Sequence, residues 1–160
     1  MKPNGRLHSS RRASGFTMIE VLIAILVLAF GLLGFAFLQT MNVRFTKSAE
    51  QRTVATNLAY ELVDMMRSQR SLAAYYNAIK PGSFDSVVVP PTGCARPVAA
   101  TPAANIVRWR CEVRAALPDG RANVVLAEDG TLNVEVRWGD DNWSQSAAVG
   151  VSSVQVGTRL

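Results

Sequence analysis

Histidine is almost missing. The single one, His8, stands in a basic leading stretch of the 160-residue chain. If that stretch is removed, no imidazole remains, which excludes histidine-based acid–base catalysis and His-ligated metal sites. Cysteine is limited to Cys94 and Cys111. Two sulfurs without histidine make a poor zinc site, so they are either a disulfide in an oxidising compartment or two buried thiols. There is no phosphate-binding glycine loop, and Asp119, Asp140 and Asp141 lack the EF-hand spacing and read as turn acids. With no nucleophile–base pair left, neither catalysis nor a cofactor is expected.

Acidic residues are absent from the first 15 positions, which hold Lys2, Arg6, Arg11 and Arg12. The net charge of +5 and the pI near 9.8 invite a nucleic-acid partner. Setting those four aside leaves 13 basic against 12 acidic residues, or +1, so the basic character belongs largely to the leader. Nucleic-acid binding is therefore not the expected role.

Charge is missing altogether from Val21 to Leu38, 18 residues, and the apolar run extends back to Phe16 for 23, interrupted only by Glu20. About 20 residues at 1.5 Å each cross a bilayer core. The run is longer than the roughly 7–15 residues of a secretory signal core, and only a weak small-x-small match, Gly34 and Ala36, lies near its end. The basic leader is expected in the cytoplasm and the chain after about residue 40 outside. That topology favours the disulfide state of Cys94 and Cys111. The carboxylate of Glu20 is the anomaly. A charge at the centre of a spanning helix costs roughly 2.5–3.5 kcal/mol on insertion scales, so it needs a partner or a task.

Gly15 sits between leader and apolar run, where a cut would keep the membrane segment and free an amine at Phe16. The string Gly15-Phe16-Thr17-Met18-Ile19-Glu20, after a short basic leader, resembles the class III signal of type IV pilins. The resemblance implies that a prepilin peptidase cuts between Gly15 and Phe16 and methylates the Phe16 amine. It also implies that Glu20 forms an assembly salt bridge. Each helix is stepped along its neighbour in a filament, so the amine of one subunit meets the Glu20 carboxylate of another. A register error would leave a charge unpaired in an apolar core.

Proline and glycine are both missing between Phe35 and Lys80. Leu38, Met41, Phe45 and Ala49, then Ala55, Leu58, Ala59, Leu62 and Met66, recur at helical spacing as one apolar stripe. One helix is expected from Phe16 to about Tyr75, with Lys47–Glu50 and Asp64–Arg67 pairing on its solvent side. "VATNLAYELVDMMRSQR", 54–70, resembles the helix of PilV-type minor pilins. So does "NVEVRWGDDNW", 133–143, their late strand.

The remainder reads as a Pro-rich connection and a sheet. In "VRWRCEVRA", 107–115, strict alternation predicts a half-buried strand with Val107, Trp109, Cys111, Val113 and Ala115 inward. Arg108, Arg110 and Arg114 would face out, balanced by Glu112 and a cross-strand Glu135. Pro118-Asp119-Gly120 and Asp129-Gly130 mark turns. "TLNVEVRW" predicts a second strand with Leu132, Val134, Val136 and Trp138 inward. After a turn at 139–142, a last strand is expected from Gln145 to Val156.

The expected organisation is a cleaved leader, 1–15; a transmembrane or filament-core helix, 16–38; an amphipathic helix, 39–76; a connecting loop, 77–105; and an antiparallel sheet, 106–160. The fold class is α+β, a long N-terminal helix on a small antiparallel sheet, as in pilins. The resemblance implies a minor pilin of the PilV type that primes type IV pilus assembly and twitching as part of a tip complex. Its partners would be the prepilin peptidase, other minor pilins and the major pilin, a tip adhesin, and the inner-membrane assembly platform. It would be a single-pass inner-membrane protein with a periplasmic C-terminal domain before entering the pilus at the cell surface. The alternatives are a minor pseudopilin of a type II secretion system and a DNA-binding competence pseudopilin.

Overall fold

The computed structural model describes residues 15–140 and 150–160. The chain divides into two compact units, Met1–Met41 and Asn42–Leu160.

In the first unit, helix α1 (Met18–Ser68) begins after three non-helical residues. Up to Phe37 and Leu38 its large apolar side chains are exposed all round. None of the most apolar 18-residue window is buried, and its mean hydropathy is 3.0, long and apolar enough to cross a membrane. A helix apolar on every face suits lipid or a protein interior. Gly31 and Gly34 lie within continuous helix, and a Cβ at either would meet nothing within 4 Å.

In the second unit, α1 buries Gln51, Ala55, Leu58, Ala59, Leu62, Val63 and Met66. The expected stripe is thus the packed face from Ala55 onward. Its earlier members Phe45 and Ala49 are exposed. Lys47–Glu50 (3.0 Å) and Asp64–Arg67 (3.6 Å) pair as expected. The helix ends at Ser68, short of Tyr75. The Ser68 hydroxyl donates to the Met65 carbonyl (2.8 Å), a local bond that competes with helix continuation. A tighter 3₁₀ segment, Arg70–Ala78, then carries Ala73 and Tyr76 into the core.

The largest correction concerns residues 107–115, which are helical, not a strand. Helix α2 spans Pro102–Ala116. Thr101 is its N-cap, accepting from the Ala104 N–H at 3.3 Å, with Pro102 in the first turn. The alternation was fortuitous. Ile106, Trp109 and Val113 pack at spacings of three and four, while Val107 and Ala115 are exposed. The expected outward basic strip is likewise absent. Arg108 bonds Glu112 (2.7 Å) and Glu61 (2.8 Å), Arg114 bonds Asp119 (2.6 Å), and the Arg110 guanidinium lies 5.7 Å from the centroid of the Phe84 ring. Glu135 pairs instead with Arg137 on its own strand.

Three antiparallel strands follow in the order β1-β2-β3: β1 (Arg121–Leu126), β2 (Thr131–Gly139) and β3 (Val151–Arg159). β1 was not anticipated, although Ala122 and Val124 alternate inward. In β2, Leu132, Val134, Val136 and Trp138 are buried as predicted. β3 begins at Val151; residues 145–149 of the expected strand, like Asp141 and Asn142 of the expected turn, lie outside the described residues.

The long helix and the small sheet form the α+β fold expected of a pilin. Trp109, Trp138, Tyr76 and Phe84 are the largest side chains fully buried in its core. The Trp109 indole N–H donates to the Leu58 carbonyl (2.9 Å), tying α2 to α1, and its ring meets Phe84 edge-on at 6.4 Å. Cys94 and Cys111 are disulfide-bonded, which pins the proline-rich segment to α2.

Candidate functional site

Three of the residues singled out in the sequence meet at the start of α1. Gly15 and Phe16 are non-helical and exposed, and a Cβ on Gly15 would touch nothing within 4 Å. The bond joining them is therefore accessible to solvent. Phe16 itself is 82% exposed.

Thr17 caps the helix. Its carbonyl accepts from the N–H groups of Glu20 (3.1 Å) and Val21 (3.3 Å), and its hydroxyl accepts from Glu20 N–H (3.3 Å). Thr17-x-x-Glu20 is the spacing of a capping box. Sequence reasoning missed this role for Thr17, although that spacing carried the signal. The helix start is thereby fixed three residues before Glu20, which places Glu20 in the first turn. A carboxylate there is favoured by the helix dipole by about 0.3–1 kcal/mol. Among the described residues the Glu20 side chain is exposed and has no hydrogen-bond or ion-pair partner. The arrangement is a lone carboxylate near one end of an uncovered apolar rod, four residues after the exposed, non-helical Phe16.

Residues 10–36 match the family model of the prokaryotic N-terminal methylation motif. The chain carries a type IV pilin-like N-terminus. No curated protein and no solved structure matches the chain. The matched stretch takes in the basic Arg11 and Arg12, Gly15, Phe16, Glu20 and most of the apolar run. Such a motif indicates a type IV pilin or pseudopilin, a structural subunit processed by prepilin peptidase, anchored by its apolar helix and handled by the assembly machinery.

Cys94 and Cys111 lie in the second unit, apart from this motif. In the same unit, a cavity of about 660 Å³ is lined by Lys47, Gln51, Val87, Val89, Arg114 and Asp119, among others. The Gln51 Oε1 there is buried without a hydrogen-bond partner. Among the described residues no three or more His, Cys, Asp or Glu side chains gather as metal ligands. Asp140, expected only as a turn acid, is buried and accepts from the Ser48 hydroxyl at 2.8 Å, so it joins the end of β2 to α1.

Proposed function

We propose that the chain is the precursor of a PilV-type minor pilin, whose task is to help prime pilus assembly within a tip complex. The observation that carries this reading is Glu20, an unpaired carboxylate in a fully exposed apolar helix inside a methylation motif. Cleavage after Gly15 leaves the Phe16 ammonium four residues before Glu20, in the non-helical stretch that leads into α1. Within a stack of apolar helices the amine of an entering subunit is neutralised by the Glu20 carboxylate of a neighbour. The contact sets axial register more than it adds stability, because a misplaced subunit strands one charge. Methylation of the amine keeps its positive charge.

The pilus reading, with a periplasmic C-terminal domain, is supported by the disulfide, which persists in an oxidising compartment. A minor pseudopilin of a type II secretion system shares the motif and is separated genetically. Deleting the gene should abolish surface pili and twitching; loss of protein secretion with pili intact would move the assignment to the secretion system. The class itself is tested by N-terminal sequencing and intact mass of the membrane-extracted protein. The expected product starts at a methylated Phe16; a product that retains Gly15 or begins after residue 36 overturns the reading.

A further inference from the structure

We propose that the outer edge of β3 is a strand-addition site, which takes an extended segment of a different polypeptide with an acidic side chain at one end.

The two edges of the sheet are treated differently. Ala127 N–H donates to the Thr131 carbonyl (2.8 Å), which sets the alternation of the β1–β2 ladder and turns the backbone groups of Val124 and Leu126 away from β2. All four are satisfied. Val124 N–H donates to the Ile79 carbonyl (3.0 Å), and Lys80 Nζ donates to the Val124 carbonyl (2.7 Å). The Asn77 amide serves Leu126, its Oδ1 accepting from the N–H (2.8 Å) and its Nδ2 donating to the carbonyl (3.3 Å).

The ends of the β2–β3 ladder are set by Asp140 N–H to the Gly150 carbonyl (2.7 Å) and Leu160 N–H to the Gly130 carbonyl (2.9 Å). Antiparallel alternation then leaves the odd-numbered residues, Val151, Ser153, Gln155, Gly157 and Arg159, with outward backbone groups. Among the described residues no hydrogen bond reaches any of those outward backbone groups. Proteins usually guard such an edge with proline, lysine, a bulge or a covering segment. From Val151 to Thr158 the strand has no proline and no charge, and it pairs in unbroken register.

Five outward residues alternating at ladder spacing are matched by extended backbone and by little else. Val154 and Val156, which pack on the core from beside that edge, favour apolar side chains on the matching face of the added strand. One cation without an ion pair among the described residues, Arg159, lies at the C-terminal end of β3, its Nε donating to the Asp129 carbonyl; Arg67, which donates to the Thr158 hydroxyl at 2.8 Å, is already paired with Asp64. Arg159 favours an acidic side chain there. Residues 151–159 contain no acid, so a second copy of β3 does not meet that requirement. The inference does not rest on the pilus reading or on Glu20, since any extended segment meets the same ladder.

The test uses the full-length protein in cells, with a photo-crosslinking amino acid placed in turn at Val151, Ser153 and Gly157. The expected result is attachment to one segment of a different polypeptide, stepping about two residues along it for every two along β3, with an acid near the Arg159 end. Ser153→Pro deletes one outward N–H and leaves the β2 ladder whole. It should cut crosslinking from position 157 at least about tenfold, the equivalent of 1.4 kcal/mol. Thermal unfolding of the same variant purified in detergent should move by less than about 4 °C, which shows that it has folded. Attachment to β3 of a second copy, to residues 141–149 of the same chain, to scattered sites or to nothing overturns the proposal. So does a folded Ser153→Pro protein that crosslinks like the wild type.

Discussion

Replacing Glu20 by glutamine separates what this side chain does for its own chain from what it does for a neighbour. Within the chain the carboxylate contacts nothing described, and only its backbone N–H engages the Thr17 cap. Glu20→Gln therefore removes only the interaction with the helix dipole, about 0.3–1 kcal/mol, and the fold of the second unit should be untouched. In a filament interior the same change leaves the Phe16 ammonium of an adjoining subunit without its counter-ion. Taking the insertion cost of a lone charge, roughly 2.5–3.5 kcal/mol, the variant is disfavoured about 60- to 300-fold against wild type. The assay is competition. Both forms are expressed together at equal membrane levels, and their ratio in sheared filaments is read by quantitative mass spectrometry of the 16–44 peptide. A filament ratio within about twofold of the membrane ratio, less than 0.5 kcal/mol, would refute the charge-pairing argument.

Three further outcomes concern the second unit. Changing Cys94 and Cys111 together to serine removes a bridge between residues 17 apart, and should cost about 3 kcal/mol, a fall of roughly 10–20 °C in Tm by calorimetry; an unchanged Tm would mean that α2 holds the proline-rich segment unaided. At Gly120 a Cβ would collide with the Val113 carbonyl oxygen and crowd Leu117, so Gly120→Ala should destabilise by about 1–3 kcal/mol in denaturant titration, whereas a neutral result would show that the α2–β1 turn yields freely. The Asp119 carboxyl is held below its ordinary value chiefly by the Arg114 hydrogen bond, with Arg121 adding to it, and Glu135 is lowered chiefly by Arg137 and opposed by its burial. Depressed carboxyl groups stabilise the fold above their unfolded values and lose that contribution as acid titrates the folded form. Stability should thus be flat from neutrality to about pH 5 and fall below about pH 4; in Arg137→Met the acid-side fall should be shallower, and an identical profile would remove Glu135 from the account.

The parts of the fold legible in the sequence were those decided locally. Length and hydropathy marked an apolar helix without tertiary context, although it begins at Met18 and not at Phe16. Period-two alternation after Asp129-Gly130 marked β2, whose four inward residues are all buried. Where two periods fitted the same residues, reasoning failed. Trp109 and Val113 satisfy both a strand and a helix, and the Thr101-Pro102 start that favours a helix lay before the window in which alternation was counted. The end of α1 was hidden for another reason. Neither glycine nor proline stops it, and the break at Ser68 serves the burial of Tyr76 in a core assembled from distant segments.

The proposed assembly site shows a different limit. Gly15, Phe16 and Glu20 stood out because they form one short string behind the basic leader, and the matched methylation motif takes in all three. Among the described residues nothing pairs with the Glu20 side chain, and a pair between subunits, as proposed, is beyond what one chain displays. At β3 the contrast is between edges: residues 77–80 serve the outward groups of Val124 and Leu126 on β1, whereas among the described residues nothing serves the outer edge of β3. Both places present polar groups that the described residues leave to solvent; covering either would cost free energy unless the covering polypeptide completed the contact.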